Sequence, residues 1–237
     1  MRVAVTGASG QLGRELMRAY SVAGATVVPL SRPGFSLEAP EVPAAVDVVV
    51  NAAAWTDVDG CARHPDRALA LNGAAPGCLA RLAYEAGMQF IQISTNEVFD
   101  GASQAAYAED DVPRPVNPYG ASKLAGERAV REAHPTAAIV RSAWIYGGPQ
   151  GFPAKIVNAG RVAAQAGRPL NVVVDEVGNP TPAASLADRL AALTMRDEAM
   201  PLVLHLAGDP PASRHDWATQ ILLAAHLPSP APISVRD

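Results

Sequence analysis

The chain opens with a strand-sized apolar run, Arg2-Val3-Ala4-Val5-Thr6, and turns at once into Gly7-Ala8-Ser9-Gly10-Gln11-Leu12-Gly13. Three glycines at this spacing, after a strand and ahead of a helical stretch, constrain the fold more than any other feature. Gly7 permits a tight turn, Gly10 lets backbone approach a pyrophosphate, and Gly13 lets the helix pack close to the sheet. The helix N-terminus then offers N–H groups and a positive dipole end to phosphates. The reading is a βα unit built to hold a dinucleotide.

The rest of the chain extends this unit. Strands are expected at 26–30, 46–51, 89–94 and 137–142, with helices near 11–22, 64–86 and 118–133. The strands are apolar throughout and do not alternate with polar residues, as parallel strands covered on both faces do not. Alternating β and α of this kind give an α/β doubly wound parallel sheet of Rossmann type. Pro33, Pro40 and Pro43 make the stretch 32–46 a loop. Residues 1–145 are therefore expected to form a dinucleotide-binding domain. Residues 146–237 are expected to form a smaller substrate lobe, interleaved with the first. Its helices are expected near 153–166, 183–195 and 213–226, with short apolar segments near 170–174 and 202–206. The run Pro228 to Pro232 reads as unpacked chain.

Composition removes several function classes. The 237 residues, 49% of them hydrophobic, can bury a sizeable core. A net charge of −4 with no basic stretch gives a nucleic-acid partner no electrostatic support. Cys61 and Cys78 form no CxxC pair and read as buried free thiols. The histidines lack HxxxH or HExxH spacing, so no metal site is expected. No apolar run approaches the ~20 residues of a membrane helix, and the N-terminus lacks the layout of a signal peptide. A cytoplasmic protein without a membrane partner is expected, and its oligomeric state is left open.

The chemistry lies in Asn117-Pro118-Tyr119-Gly120-Ala121-Ser122-Lys123. Pro118 suits the first turn of a helix, which puts Tyr119 and Lys123 on one face at i and i+4. An ammonium near a phenol favours the phenolate, so Tyr119 can release a proton to an oxygen as hydride reaches the adjacent carbon. Lys123 can also hold the nicotinamide ribose. The fourth strand ends in Ser94-Thr95, where α/β sheets place their ligands. Thr95 is the choice for the hydroxyl that polarises the carbonyl, although Ser94 is chemically as capable. The second strand ends Leu30-Ser31-Arg32 with no acid to accept from a ribose 2′-hydroxyl. Ser31 and Arg32 can instead hold a 2′-phosphate, which favours NADPH over NADH.

Taken together, Gly7 to Gly13, Asn51 to Asp59, Ser94 to Gly101, Asn117 to Lys123 and Arg141 to Gly147 stand in the order and spacing of the extended short-chain reductases. The chain most resembles the dTDP-4-dehydrorhamnose reductase family, and Gly178-Asn179-Pro180-Thr181 resembles that family's second-lobe loop. The resemblance implies hydride transfer from NADPH, or NADH, to the 4-keto group of a dTDP-linked 6-deoxyhexose. It implies that Thr95, Tyr119 and Lys123 form the catalytic set and that Asn96 and Trp144 face the sugar. Periodicity by itself would put Trp144 in the core. Gly10, Gln11, Leu12, Ser36, Leu37, Ala54, Trp55 and Thr56 are implied to line the cofactor. The chain departs from the family where Asn96-Glu97 replaces the usual Asp-Tyr and Ser36 replaces an Asp. The resembled chains run several tens of residues longer, so the C-terminal lobe is expected to be incomplete. Two rivals use the same fold. One is a nucleotide-sugar epimerase or dehydratase, which Asn96-Glu97 half fits. The other is a non-catalytic NADP-binding regulatory subunit, which would have no need of Thr95, Tyr119 and Lys123.

Overall fold

The computed structural model describes residues 1–149, 151–196 and 198–234. Six parallel strands form one sheet in the order β10-β5-β4-β3-β1-β2. They are β1 (Arg2–Thr6), β2 (Thr26–Leu30), β3 (Val48–Asn51), β4 (Gln89–Thr95), β5 (Ala138–Ser142) and β10 (Val203–His205). Helices α1 (Gln11–Val22), α2 (Val58–Arg63), α3 (Pro65–Ala68), α4 (Ala75–Glu85) and α5 (Pro118–Ala133) connect the first five. Residues 31–47 contain no helix or strand.

The central strands β1, β3, β4 and β5 bury nearly every side chain, as apolar parallel strands must. The expectation of two covered faces fails for β2. It is the edge strand, half-exposed along its length, and it tolerates Pro29 because an edge needs fewer ladder donors. The core gathers Val49, Leu79, Phe90, Val130 and Ile139, with Phe35 and Val46 from the irregular stretch.

The chain divides into two compact units. One holds Met1–Ser142 and Ala184–Leu206, the other Ala143–Ala183 and Ala207–Asp237. The expected second lobe of residues 146–237 is therefore not one stretch. Helix α7 (Ala183–Thr194) runs into the first unit, where Tyr20 hydrogen-bonds Thr194 at 2.9 Å. After it, β10 joins the main sheet beside β5, where sequence alone put an apolar segment of the second lobe.

The second unit has its own small core of Ile156, Val172, Ala218 and Leu222, supplied by α6 (Phe152–Gln165), β7 (Asn171–Val173) and α8 (Arg214–Ala224). Its remaining strands are short pairs: β6 (Ile145–Tyr146) with β9 (Thr181–Pro182), and β8 (Val177–Gly178) with β11 (Ala212–Ser213). The Pro-rich tail is not unpacked: β12 (Ala231–Ile233) pairs parallel with β7. A two-strand ribbon leaves each strand an open edge, so Pro232 costs no ladder bond.

Between α3 and α4 the backbone widens into a π-helical turn, Leu69–Ala74. Its Asn72 carbonyl lies so close to Gly126 of α5 that a Cβ there would collide with it. Cys61 is buried in α2 as expected, but Cys78 is half-buried on α4.

Candidate active site

The glycine loop forms as the spacing requires. Gly7 has φ +62°, in the left-handed region, and a Cβ on Gly13 would collide with the Gly7 carbonyl. Gly10 is the N-cap of α1 and brings no side-chain acceptor to the first turn, where Gln11 and Leu12 begin the helix. An uncapped helix start beneath a side-chain-free turn fits the pyrophosphate of a dinucleotide.

Parallel pairing places the end of β2 level with this loop, since Leu30 faces Thr6 and the Ala8 N–H reaches the Leu30 carbonyl at 3.4 Å. Ser31 and the exposed Arg32 follow directly. Ser36 hydrogen-bonds Glu38, and Leu37 packs on the core. After β3 come Ala54, Trp55 and the exposed Thr56. Asn72 clamps both sides of the Trp55 backbone. Its Oδ1 accepts from Trp55 N–H at 2.8 Å, and its Nδ2 donates to Trp55 O at 2.9 Å. The same Nδ2 reaches Ser122 Oγ at 3.1 Å, and Ser122 donates to the Tyr119 carbonyl at 2.7 Å. One buried asparagine thus fastens the loop after β3 to the start of α5.

Thr95 is the last residue of β4 and the N-cap of a 3-10 turn, Asn96–Val98, and its hydroxyl accepts from Glu97 N–H at 3.2 Å. Asn96 is half-buried beside it. Asn117 caps α5, accepting from Gly120 N–H at 2.7 Å while its Nδ2 donates to Glu97 Oε2 at 2.8 Å. The capped helix start brings the Tyr119 phenol beside Thr95, whose hydroxyl acts on it. Ser94 is removed as the alternative hydroxyl, because it donates to the buried carboxylate of Glu127.

The electrostatics correct one expectation. Lys123 does not draw the Tyr119 phenol downward. Burial pushes the phenol up to about 12, opposed by the Thr95 hydroxyl, and Glu97 and Cys61 act in the same direction as burial. Lys123 itself is buried, and its Nζ donates to the Ile93 carbonyl at 2.8 Å. Desolvation lowers it to about 8, opposed by Glu127 one turn on. Glu127 is in turn bound by Arg141 of β5 at 2.7 Å, both side chains being buried.

Sequence reasoning missed Asn72, Glu127 and Arg141. Asn72 interrupts an Ala/Leu-rich helical stretch, and Glu127 continues the Tyr119–Lys123 face by four more residues. Those two signals were available to a reader of the sequence.

Trp144 belongs to the second unit. Its φ is +41°, and the Arg214 guanidinium lies 3.5 Å from its ring centroid. Trp217 stacks against it at 5.8 Å, and a Cβ on Gly178 would strike the ring at 2.5 Å. The half-buried Trp144 ring is thus an ordered surface residue and not core. In the same unit Thr181 Oγ1 donates to Asn179 O and accepts from Gly208 N–H, which shapes the loop 178–181.

A dinucleotide loop on a doubly wound sheet, with Thr, Tyr and Lys at its carboxyl end, defines an extended short-chain reductase. The family described as the RmlD substrate binding domain matches residues 1–237. A dTDP-4-dehydrorhamnose reductase of Burkholderia thailandensis is 38% identical over 99% of this chain and 82% of its own length. One of Mycobacterium tuberculosis is 37% identical over 98% of this chain and 83% of its own. A solved dTDP-4-dehydrorhamnose reductase of Clostridium acetobutylicum superposes with a TM-score of 0.90 at 32% identity, covering 100% of this chain and 85% of that one. One of Bacillus anthracis, solved in complex with NADP, gives 0.88 at 27% identity, covering 99% and 85%. The chain belongs to the dTDP-4-dehydrorhamnose reductase family.

Proposed function

We propose that this chain reduces the 4-keto group of a dTDP-linked 6-deoxyhexose with NADPH, giving a dTDP-deoxysugar such as dTDP-rhamnose. The observation that carries the reading is the placement of Thr95 at the carboxyl end of β4 beside the buried Tyr119 phenol, with Lys123 one turn further along α5. NADPH, when bound, supplies the hydride. Gly7, Gly10, Gln11 and Leu12 would hold its pyrophosphate, Ser31 and Arg32 its 2′-phosphate, and Ser36, Leu37, Ala54, Trp55 and Thr56 its remaining surface.

Thr95 donates to the carbonyl oxygen of the sugar and polarises it. Tyr119 shares that oxygen and gives it a proton as the carbon receives hydride. A phenol pushed up to about 12 stays protonated at neutral pH, which is the form that reduction needs. Asn96, half-buried beside Thr95, is assigned to the sugar. No helix among the described residues is long and apolar enough to cross a membrane, and a cytoplasmic enzyme acting on a soluble nucleotide sugar is the reading we adopt.

Glu97 offers the one observation for a dehydratase, since it adds a carboxylate beside Tyr119. Its Oε2 is engaged by Asn117, which favours a role in capping α5. The test is NADPH oxidation with a panel of dTDP-4-keto-6-deoxyhexoses, with product analysis. Oxidation matched by a dTDP-6-deoxyhexose product is expected. Water loss from a dTDP-hexose that still carries its 6-hydroxyl, without net NADPH consumption, would establish the dehydratase instead.

A further inference from the structure

A directed chain of buried hydrogen bonds crosses the sheet to Lys123. Ala53 N–H donates to Thr6 Oγ1 at 3.1 Å, and Thr6 donates to Asn51 Oδ1 at 2.5 Å. Asn51 Nδ2 donates to Gln92 Oε1 at 2.7 Å, and Gln92 Nε2 donates to the Ile93 carbonyl at 2.7 Å. Lys123 Nζ donates to that same carbonyl. Parallel register sets the path, with Thr6 beside Asn51 and Asn51 beside Gln92.

Thr6, Asn51 and Gln92 are no more than 2% exposed. Buried polar side chains are costly unless each is satisfied, and three apolar residues would fill these strand positions more cheaply. Each amide is fixed at both ends, so every donor points the same way. The positive end of the chain arrives at the carbonyl that holds the ammonium.

We propose that Asn51 and Gln92 are positioning residues for Lys123: the Gln92 amide shares the Ile93 carbonyl and loosens its hold on the ammonium, freeing the lysine to turn to the ribose of a dinucleotide. The far end of the chain, Ala53, adjoins Ala54–Thr56, so the loop assigned to the cofactor and the lysine that serves it are joined by one set of bonds. The ribose as target rests on the reductase reading. The loosening of Lys123 does not.

The charged and titratable groups around Lys123 are few. Glu127 lies on its own helix and raises its pKa, while Arg141 of β5 is paired to Glu127. Tyr119 lies one turn back, and Cys61 of α2 and Glu97 of the 3-10 turn act on that phenol. Strands β1, β3 and β4 bring no charge to it; their contribution is the donor chain.

The protein holds just two lysines, Lys123 and Lys155. Lysine labelled with carbon-13 at Cε therefore gives two signals, which Lys155→Arg assigns, and each can be titrated without substrate. In the wild type the Lys123 signal is expected to titrate near 8. Gln92→Met and Thr6→Val should each raise that midpoint by about half a unit or more, because the opposing dipole is broken. Thr6→Ser, which keeps the hydroxyl, should restore it. Gln92→Met should also weaken NADPH several-fold in the wild type and not in a Lys123→Met background. An unchanged or lowered midpoint in folded variants would overturn the proposal. So would loss of the fold in both Gln92→Met and Thr6→Val, which would assign the chain to sheet stability. A protein that showed the shift yet reduced no keto sugar would sink the reductase reading and keep this one.

Discussion

Gly120 of α5 packs against the Glu97 carbonyl so closely that a Cβ would collide with it. This backbone contact sets the distance between the end of β4 and the start of α5, and with it the Thr95–Tyr119 pair. Gly120→Ala should push the two elements apart. Displacement of a reacting group by about 1 Å can cost on the order of a hundredfold in rate. The variant should lose turnover on that scale while binding NADPH within about threefold of wild type, because the glycine loop is untouched. Steady-state kinetics beside calorimetry with NADPH checks this, and turnover near wild type would show that the contact does not position Tyr119.

Tyr119→Phe removes the proton donor and nothing that the cofactor loop uses. General acid catalysis is worth about 10²–10⁴-fold, so turnover should fall by at least about a hundredfold with NADPH affinity close to wild type. Near-normal reduction of a keto sugar by this variant would refute the mechanism.

The outcome at these residues shows what the sequence disclosed. Local rules reached Gly7–Gly13 and Tyr119–Lys123, because a strand, a turn and one helical face are set by neighbours in the chain. They could not reach Glu127–Arg141, since nothing local says that α5 and β5 bring those two charges together in the core. The same limit hid the return of β10 to the main sheet and the pairing of β12, where three residues carry too little periodicity to reveal a partner. It also hid why the Tyr119 phenol is raised: burial, not Lys123, sets its shift. Spacing put an ammonium near a phenol, but burial and the Ile93 carbonyl decide what that ammonium does.

Lys123 makes stability depend on pH in a calculable direction. An ordinary lysine titrates near 10.5, and this one near 8 in the folded chain. Between those values the unfolded chain binds more protons than the folded one, so stability rises with pH. The charged lysine therefore weakens the fold at pH 7, and that cost is lost as pH climbs past 8. The full span is roughly 3 kcal/mol. Tyr119, raised to about 12, acts oppositely but only above pH 10, where the unfolded phenol begins to ionise first. Urea unfolding of wild type and Lys123→Met at pH 7 and pH 10 isolates the first effect. The wild type should gain on the variant as pH rises, and a constant difference would mean that Lys123 titrates normally.

Arg32 should decide between the two nicotinamide cofactors. The pairing of Leu30 with Thr6 brings β2 to an end level with the glycine loop, and the two residues that follow are Ser31 and Arg32. No acid stands there to accept from a 2′-hydroxyl, whereas a guanidinium can meet a 2′-phosphate through a planar fork of donors. Arg32 is exposed, so salt and water weaken the contact. A charge-assisted bond to phosphate in that setting is still worth about tenfold to a hundredfold in affinity. Arg32→Ala should weaken NADPH by that factor and leave NADH nearly unchanged. Arg32→Lys should recover only part of the loss, because an ammonium keeps the charge and gives up the fork. Cofactor titrations at low and moderate salt test both statements, since the NADPH advantage should shrink as salt is added. Equal losses for NADPH and NADH would mean that Arg32 does not touch the 2′-phosphate, and that the preference must come from elsewhere in the loop 31–38.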